Sequence, residues 1–289
     1  MEANSAFTNK STQFWGYVRL ISEKMGYSAK GEIKKHDSSQ IIKKLKSLEI
    51  EITQDILEDV VSYLNYRADL LNNQVQYFFM DVNLARRTFH KLNKMYVENN
   101  FTCSLPWNKQ SGEKKDFAYY TGIINILTEA YLRAYSTSEG LVYGKDISFD
   151  NDPRSLTYLK DNDNVLHGTL SRRFDGAYPS TINPKAIWEI KEYYYTTTFG
   201  SRIADGVYET QLDGFEINQL SHVAQGDIKH IYFIDAYQTW WVQGKSYLCR
   251  IIDMLHMGLV DEVIFGKEVL ERWKIVLDKL IHSKTVTPN

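Results

Sequence analysis

The hydrophobic pattern of this chain changes period part-way along, and that change limits the folds open to it. Up to about residue 98, apolar residues recur at helical spacing. Residues 12–26 put Phe14, Tyr17, Val18, Ile21 and Met25 on one helical face. Ser38 or Ser39 is placed to cap a short helix bearing Ile41, Ile42 and Leu45, Thr53 heads a helix over 53–72, and a further helix is expected over about 74–98. The polar stretch 99–116, with Pro106 and Gly112, reads as a connection. Beyond it an amphipathic helix over 117–135 gives way to strand-like runs at 140–149, 166–176, 186–195, 230–242 and 260–266. Helical runs beginning at Ser201 and covering 246–258 and 267–281 separate the later ones. This order predicts an α/β class, with a mixed sheet flanked by helices behind an all-helical N-terminal region. The expected division is 1–112 and 113–289.

Composition narrows the function classes. Hydrophobic residues make up 43% and charged residues 24% of 289 residues, ordinary for a globular chain. No apolar run approaches the roughly 20 residues of a membrane span, and the N-terminus MEANSAFTNKSTQFW has no export-signal pattern. Cys103 and Cys249 are too few for a disulfide framework or a thiolate zinc site, so a cytoplasmic protein is expected. The net charge of −2 does not advertise nucleic-acid binding, but it is unevenly spread. Residues 1–120 carry 17 Lys and Arg against 14 Asp and Glu, and the remainder 17 against 22. That asymmetry suits a DNA-contacting region beside a carboxylate metal site. The seven histidines show no metal spacing, and neither GxGxxG nor GxxxxGK[ST] occurs, so nucleotide hydrolysis is not expected.

The segment with most chemistry is Arg172 to Lys191. Side chains two apart on a strand share a face, so Glu189 and Lys191 project together. Thirteen residues separate Asp175 from Glu189, room for a turn through Pro179 to Pro184 and a return strand. Two carboxylates and an ammonium suit phosphodiester hydrolysis: hard oxygen ligands hold Mg²⁺, and the lysine offsets phosphate charge. Glu-x-Lys alone says little. Glu32-Ile33-Lys34 has no aspartate before it, Glu113-Lys114-Lys115 lies in a polar loop, and Asp213 with Asp227-Ile228-Lys229 repeats the gap with Asp227 in a loop. Only Glu189-Ile190-Lys191 sits inside an apolar run, where a buried charge needs a partner. The plainer alternative is a charged pair on an exposed strand face.

FDGAYP…AIWEIKEYYY, followed by a helix, resembles the PD-(D/E)xK nuclease superfamily, and most closely type II restriction endonucleases, over roughly residues 117–266. The resemblance implies a restriction-endonuclease-like fold, with Asp175 and Glu189 as metal ligands, Lys191 as the catalytic lysine, and Mg²⁺ (Mn²⁺ able to substitute) as cofactor. It further implies double-stranded DNA as substrate, products with 5′-phosphate and 3′-hydroxyl ends, and a homodimer matched to DNA two-fold symmetry. Phe174 stands where the family pattern has proline. Repair, phage-defence and structure-specific nucleases share that core, and a non-catalytic DNA-binding module is the alternative outside enzymes. Glu129, the one acidic residue in 117–135, is the candidate for a further catalytic carboxylate, against the alternative of a solvent-facing glutamate. Candidate DNA contacts are Arg172, Arg173, Lys185, Thr197, Thr198, Ser201 and Arg202, the last four in a hydroxyl-rich turn into a helix N-terminus.

Overall fold

The computed structural model of the protein describes residues 1–108, 116–195, 200–222, 224–225, 227–284 and 286–288. Three helices open the chain: α1 (Thr12–Met25), α2 (Ser38–Lys46) and α3 (Gln54–Asn73). Ser11 caps α1 by accepting from the Phe14 N–H. Asp37, rather than Ser38 or Ser39, caps α2, because its carboxylate takes the N–H groups of both Ser39 and Gln40. Their apolar faces meet in a core of Phe14, Trp15, Val18, Ile41, Leu45, Val60 and Leu64. A two-residue hairpin (28–29 with 32–33) interrupts the expected all-helical run.

The helix expected over 74–98 is shorter. A 3₁₀ turn at Val75–Tyr77 is followed by irregular chain, and α4 (Val82–Glu98) starts where Asp81 caps it through the Leu84 N–H. α5 (Tyr119–Glu139) ends on Gly140 in the left-handed region at φ 69°. The next run, 140–149, forms no strand of the sheet: Gly144 turns the chain at φ 87° and the Asp146 carboxylate closes a turn onto the Val142 N–H. Tyr158–Lys160 pairs with Leu166–Thr169 as a separate hairpin.

The central sheet has four strands, β1 (Gly176–Tyr178), β2 (Ala186–Glu192), β3 (Lys229–Asp235) and β4 (Glu262–Phe265), in spatial order β1-β2-β3-β4. β1 runs antiparallel to β2, whereas β2, β3 and β4 are parallel. Parallel neighbours need crossovers. These are α6 (Ser201–Ser221) and, after a π-helical turn at Gln238–Gln243, α7 (Lys245–His256). α8 (Val269–His282) closes the fold. The protein is therefore mixed α/β, with a mixed sheet flanked by helices.

Alternation along the strands splits the core. Trp188, Ile190, Ile231, Phe233 and Ile264 pack against Phe89 of α4, Ile123 and Leu127 of α5, and Trp273 of α8. Tyr232, Ile234, Val263 and Phe265 pack against Ile203 and Val207 of α6 and Leu248 and Ile252 of α7. Packing thus assigns α4 to the sheet's core, so the helical layer of α1–α3 ends well before the expected boundary at 112.

A buried ion pair joins the two parts. The Arg67 guanidinium on α3 donates to both Asp253 oxygens on α7 (2.8 and 2.9 Å) and to Ser22 Oγ on α1 (2.8 Å), and Tyr63 Oη donates to Asp253 (2.7 Å). Removing one partner strands a buried charge, which costs about 3–5 kcal/mol. Asp253→Ala should therefore lower the free energy of unfolding by an amount of that order in urea titrations. A loss below about 1 kcal/mol, the range of an exposed pair, would show that Arg67 does not anchor α3 to α7.

Candidate active site

β2 presents two faces. Ala186, Trp188 and Ile190 point toward α5 and α8, and Ile187, Glu189 and Lys191 lie on the α6 side. β1 pairs only with Ala186, Ile187 and Trp188, so the edge of β2 beyond Trp188 lacks a paired strand there. Asp175 immediately precedes β1 and lies along that open edge. Its backbone N–H donates to Trp188 O (3.0 Å), and its carboxylate accepts the Ile190 N–H (2.7 Å). A side chain thus supplies the bond the missing ladder would have made. The residue after it must be glycine, because a Cβ at Gly176 would fall 2.1 Å from the Trp188 indole.

Glu189 sits beneath α6, 2% exposed, with a cation on each oxygen. Arg172 Nη1 lies 2.7 Å from Oε1 and Lys191 Nζ 2.9 Å from Oε2. The other edge of the Arg172 guanidinium forks onto Asp213 of α6, with Nε donating at 2.8 Å. Glu209 stands 3.9 Å from Lys191. Burial opposes the Glu189 charge, but Lys191 and Arg172 more than offset it and hold the carboxyl below its usual range. Burial likewise opposes the Lys191 charge, and Glu189 outweighs it, holding the ammonium protonated. Asp213 is driven upward by desolvation, which its hydrogen bonds from Arg172 only partly reverse.

Asp175 opens onto a cleft of about 880 Å³ whose lining includes Trp107, Arg154, Arg172, Arg173, Ile190 and Glu192. Asp175 is exposed to solvent on the cleft side, and desolvation by the protein behind it, reinforced by the Glu189 charge, pushes its carboxyl up to about 7. Glu192 reaches the same cleft from the opposite face of β2. Its carboxylate accepts from the N–H of Tyr120 (2.9 Å) and from Thr121 Oγ1 (2.7 Å) at the start of α5, and burial raises it to about 7.

A family model described as Domain of unknown function (DUF7687) matches residues 80–280, a span that holds the sheet, α4 to α7 and every residue lining this cleft. The chain belongs to that family. A second model, Domain of unknown function (DUF7690), matches residues 1–74, the helical layer of α1–α3. No curated protein and no solved structure matches the chain.

Within the DUF7687 span, Asp175, Glu189, Lys191 and Arg172 come together. Arg172, expected as a DNA contact, is instead an internal partner of Glu189 and Asp213, because two buried carboxylates claim its guanidinium. Arg173 is exposed at the cleft. Lys185 is not free for DNA: its ammonium donates to the carbonyls of Leu280, Ile281 and Ser283 and so caps α8. Glu129 is neither in the cleft nor facing solvent. It is fully buried, and accepts the N–H groups of Thr102 (2.9 Å) and Cys103 (2.6 Å) beside an ion pair to Arg133 (2.7 Å). Thr197 and Thr198 lie outside the described residues, as do the side chains of Ser201 and Arg202.

Three acidic residues of this neighbourhood were not anticipated. Asp213 occupies a buried α6 stripe, Ile203-Gly206-Thr210-Asp213-Ile217, whose helical spacing is readable in the sequence. Strand alternation likewise puts Glu192 on the face opposite Glu189. Glu209 joins only through the path of α6 over Lys191.

A carboxyl raised from 3.8 to about 7 binds a proton more readily folded than unfolded. Its ionisation therefore lowers stability progressively between about pH 4 and 7, with no further change above. Asp175→Asn keeps an acceptor for the Ile190 N–H and removes that charge. The variant should melt higher than wild type at pH 8, with the gain shrinking as pH falls toward 4. A gain independent of pH would place the cause elsewhere.

Proposed function

We propose that this protein is a divalent-metal-dependent nuclease hydrolysing phosphodiester bonds of double-stranded DNA. The observation that carries this reading is Asp175, open to a cleft at the unpaired edge of β2, within electrostatic reach of the buried Glu189–Lys191 pair on the strand's α6 face. Among the described residues no cluster of three or more His, Cys, Asp or Glu is placed to hold a metal. A cation here would rest on the Asp175 and Glu189 carboxylates, with water and phosphate oxygens filling the remainder. That donor set fits Mg²⁺, which is commonly held by one or two carboxylates and substrate phosphates. Desolvation chiefly raises Asp175, and the Glu189 charge that adds to it is what a divalent cation would relieve. Bound there, Mg²⁺ would lower the pKa of an attacking water and offset charge on the phosphate.

The chain's own residues have definable tasks. Asp175 and Glu189 orient oxygen ligands from adjoining segments. Lys191, kept protonated by Glu189, would offset phosphate charge. Arg172 keeps Glu189 and Asp213 from repelling one another, and Arg173 offers a guanidinium to the DNA backbone. The finer reading is a type II restriction endonuclease with a restriction-endonuclease-like core, cytoplasmic, working as a homodimer with one centre per strand. No helix among the described residues is long and apolar enough to cross a membrane. One observation favours a second reading. Both Glu189 oxygens are engaged by cations within the chain, as in a DNA-binding module that does no chemistry.

A digest of mapped plasmid DNA with Mg²⁺, followed by sequencing of the ends, separates these. The nuclease reading predicts cleavage lost by at least about 100-fold in Asp175→Ala and Lys191→Ala, in line with removal of a charge-stabilising group. Cuts at fixed positions support restriction, and end-degradation or flap cutting points to a processing nuclease. Intact cleavage in either variant would refute the site. No cleavage by wild type with Mg²⁺ or Mn²⁺ would favour the binding module.

A further inference from the structure

Five of the six tryptophans are buried, none more than 5% exposed. Trp107 is 45% exposed and lines the same cleft as Asp175. It is not a loose surface ring. An antiparallel bridge pairs Trp107 with Phe117, and hydrogen bonds on either side (Ala118 N–H to Pro106 O, 2.8 Å; Asn108 N–H to Asp116 O, 2.7 Å) fix the two segments together. Its ring stacks on Phe117 with centroids 4.7 Å apart and planes 15° apart. Phe117 in turn rests against the fully buried Phe89, 5.1 Å away. The result is an aromatic column rising from the core, ending in an indole that is 45% exposed and lines the cleft.

Resting on the nuclease reading of this cleft, we propose that Trp107 is a stacking shelf for an unpaired nucleobase of the DNA strand whose phosphate lies at Asp175. In an intact duplex both faces of every base are already stacked on neighbours. An aromatic shelf can therefore engage only a base that is single-stranded or extruded from the helix. The cleft falls within the roughly 300–1,000 Å³ typical of small-molecule sites, room enough for one nucleotide of a strand lying across it. Arg173, exposed, and Arg154, exposed and ion-paired with Asp152, line the same cleft and could meet the strand's phosphates. Phe117 and Phe89 behind the indole preorganise the shelf, so stacking would require little ordering at the moment of binding. Trp107 acts here as a specificity and positioning residue, not a catalytic one.

The test uses the full chain without divalent metal, so that binding is read apart from cleavage. Anisotropy of labelled oligothymidylate, a perfect duplex and a duplex with one mismatched base is compared for wild type, Trp107→Leu and Trp107→Phe. Stacking predicts that Trp107→Leu weakens binding to the single strand about tenfold while Trp107→Phe stays within about threefold of wild type. Affinity for the perfect duplex should be unchanged in both. Wild-type preference for the mismatched over the perfect duplex, lost in Trp107→Leu, assigns the base to extrusion; a Trp107 effect confined to oligothymidylate assigns it to a free strand. Equal loss on single strand and perfect duplex, no loss on either, no binding by wild type, or a Trp107→Phe variant as weak as Trp107→Leu would overturn the shelf. The nuclease reading fails separately: DNA left uncut with Mg²⁺ while the Trp107 pattern holds removes the chemistry and leaves the shelf.

Discussion

A glutamate carboxylate buried in the middle of a sheet is costly unless cations meet it, and Glu189 sets the terms for everything around it. Its position on β2 puts it under α6, where water cannot solvate it. Lys191, two residues on and on the same face, supplies one cation, and Arg172 supplies the other from the segment leading into β1. Arg172 then needs a second anion for its remaining edge, and Asp213 answers it from α6. The chain of opposite charges runs from helix to loop to strand. Removal of any member leaves a neighbour buried without its partner, at a cost of several kcal/mol. The same chain keeps residues 172–175 against the edge of β2 and so carries Asp175 to its place.

The fold supports that arrangement in three ways. The short β1 begins only at Gly176, which leaves the edge of β2 open for Asp175 to take the Ile190 N–H. The parallel pairing of β2 with β3 forces α6 to cross the face bearing Glu189, bringing Asp213 and Glu209 to it. The start of α5 holds Glu192 at the same cleft through backbone N–H groups, the positive end of the helix dipole. α1–α3 stand apart from this site and are fastened through Arg67 and Asp253. Two family models divide the chain at the same place.

Much of this was legible in the residues. The change from helical to strand periodicity announced the α/β class, and the apolar setting of Glu189-Ile190-Lys191 set it apart from its look-alikes, because a charge in an apolar strand must be answered. Partners supplied from afar were not legible. Glu129 has the helical setting of a catalytic carboxylate, but the N–H groups of Thr102 and Cys103 claim it. Lys185 is likewise taken by the carbonyls at the end of α8, nearly a hundred residues away. Asp213, set aside with a decoy triplet, belongs to the network because helix register, not its distance from Asp227, decides which way it faces. The run 140–149 carries strand-forming residues, but its glycine and Asp146 turn it back on itself.

The central claim is that Asp175 and Glu189 together hold a divalent cation at the open edge of β2. Calorimetric titration of the intact protein with Mn²⁺ tests this most directly. The account predicts one class of site whose affinity rises by up to about tenfold per pH unit below 7 as Asp175 releases its proton, levels off above, and is lost in Asp175→Asn. Binding that ignores pH across this range, or that survives intact in Asp175→Asn, would contradict it.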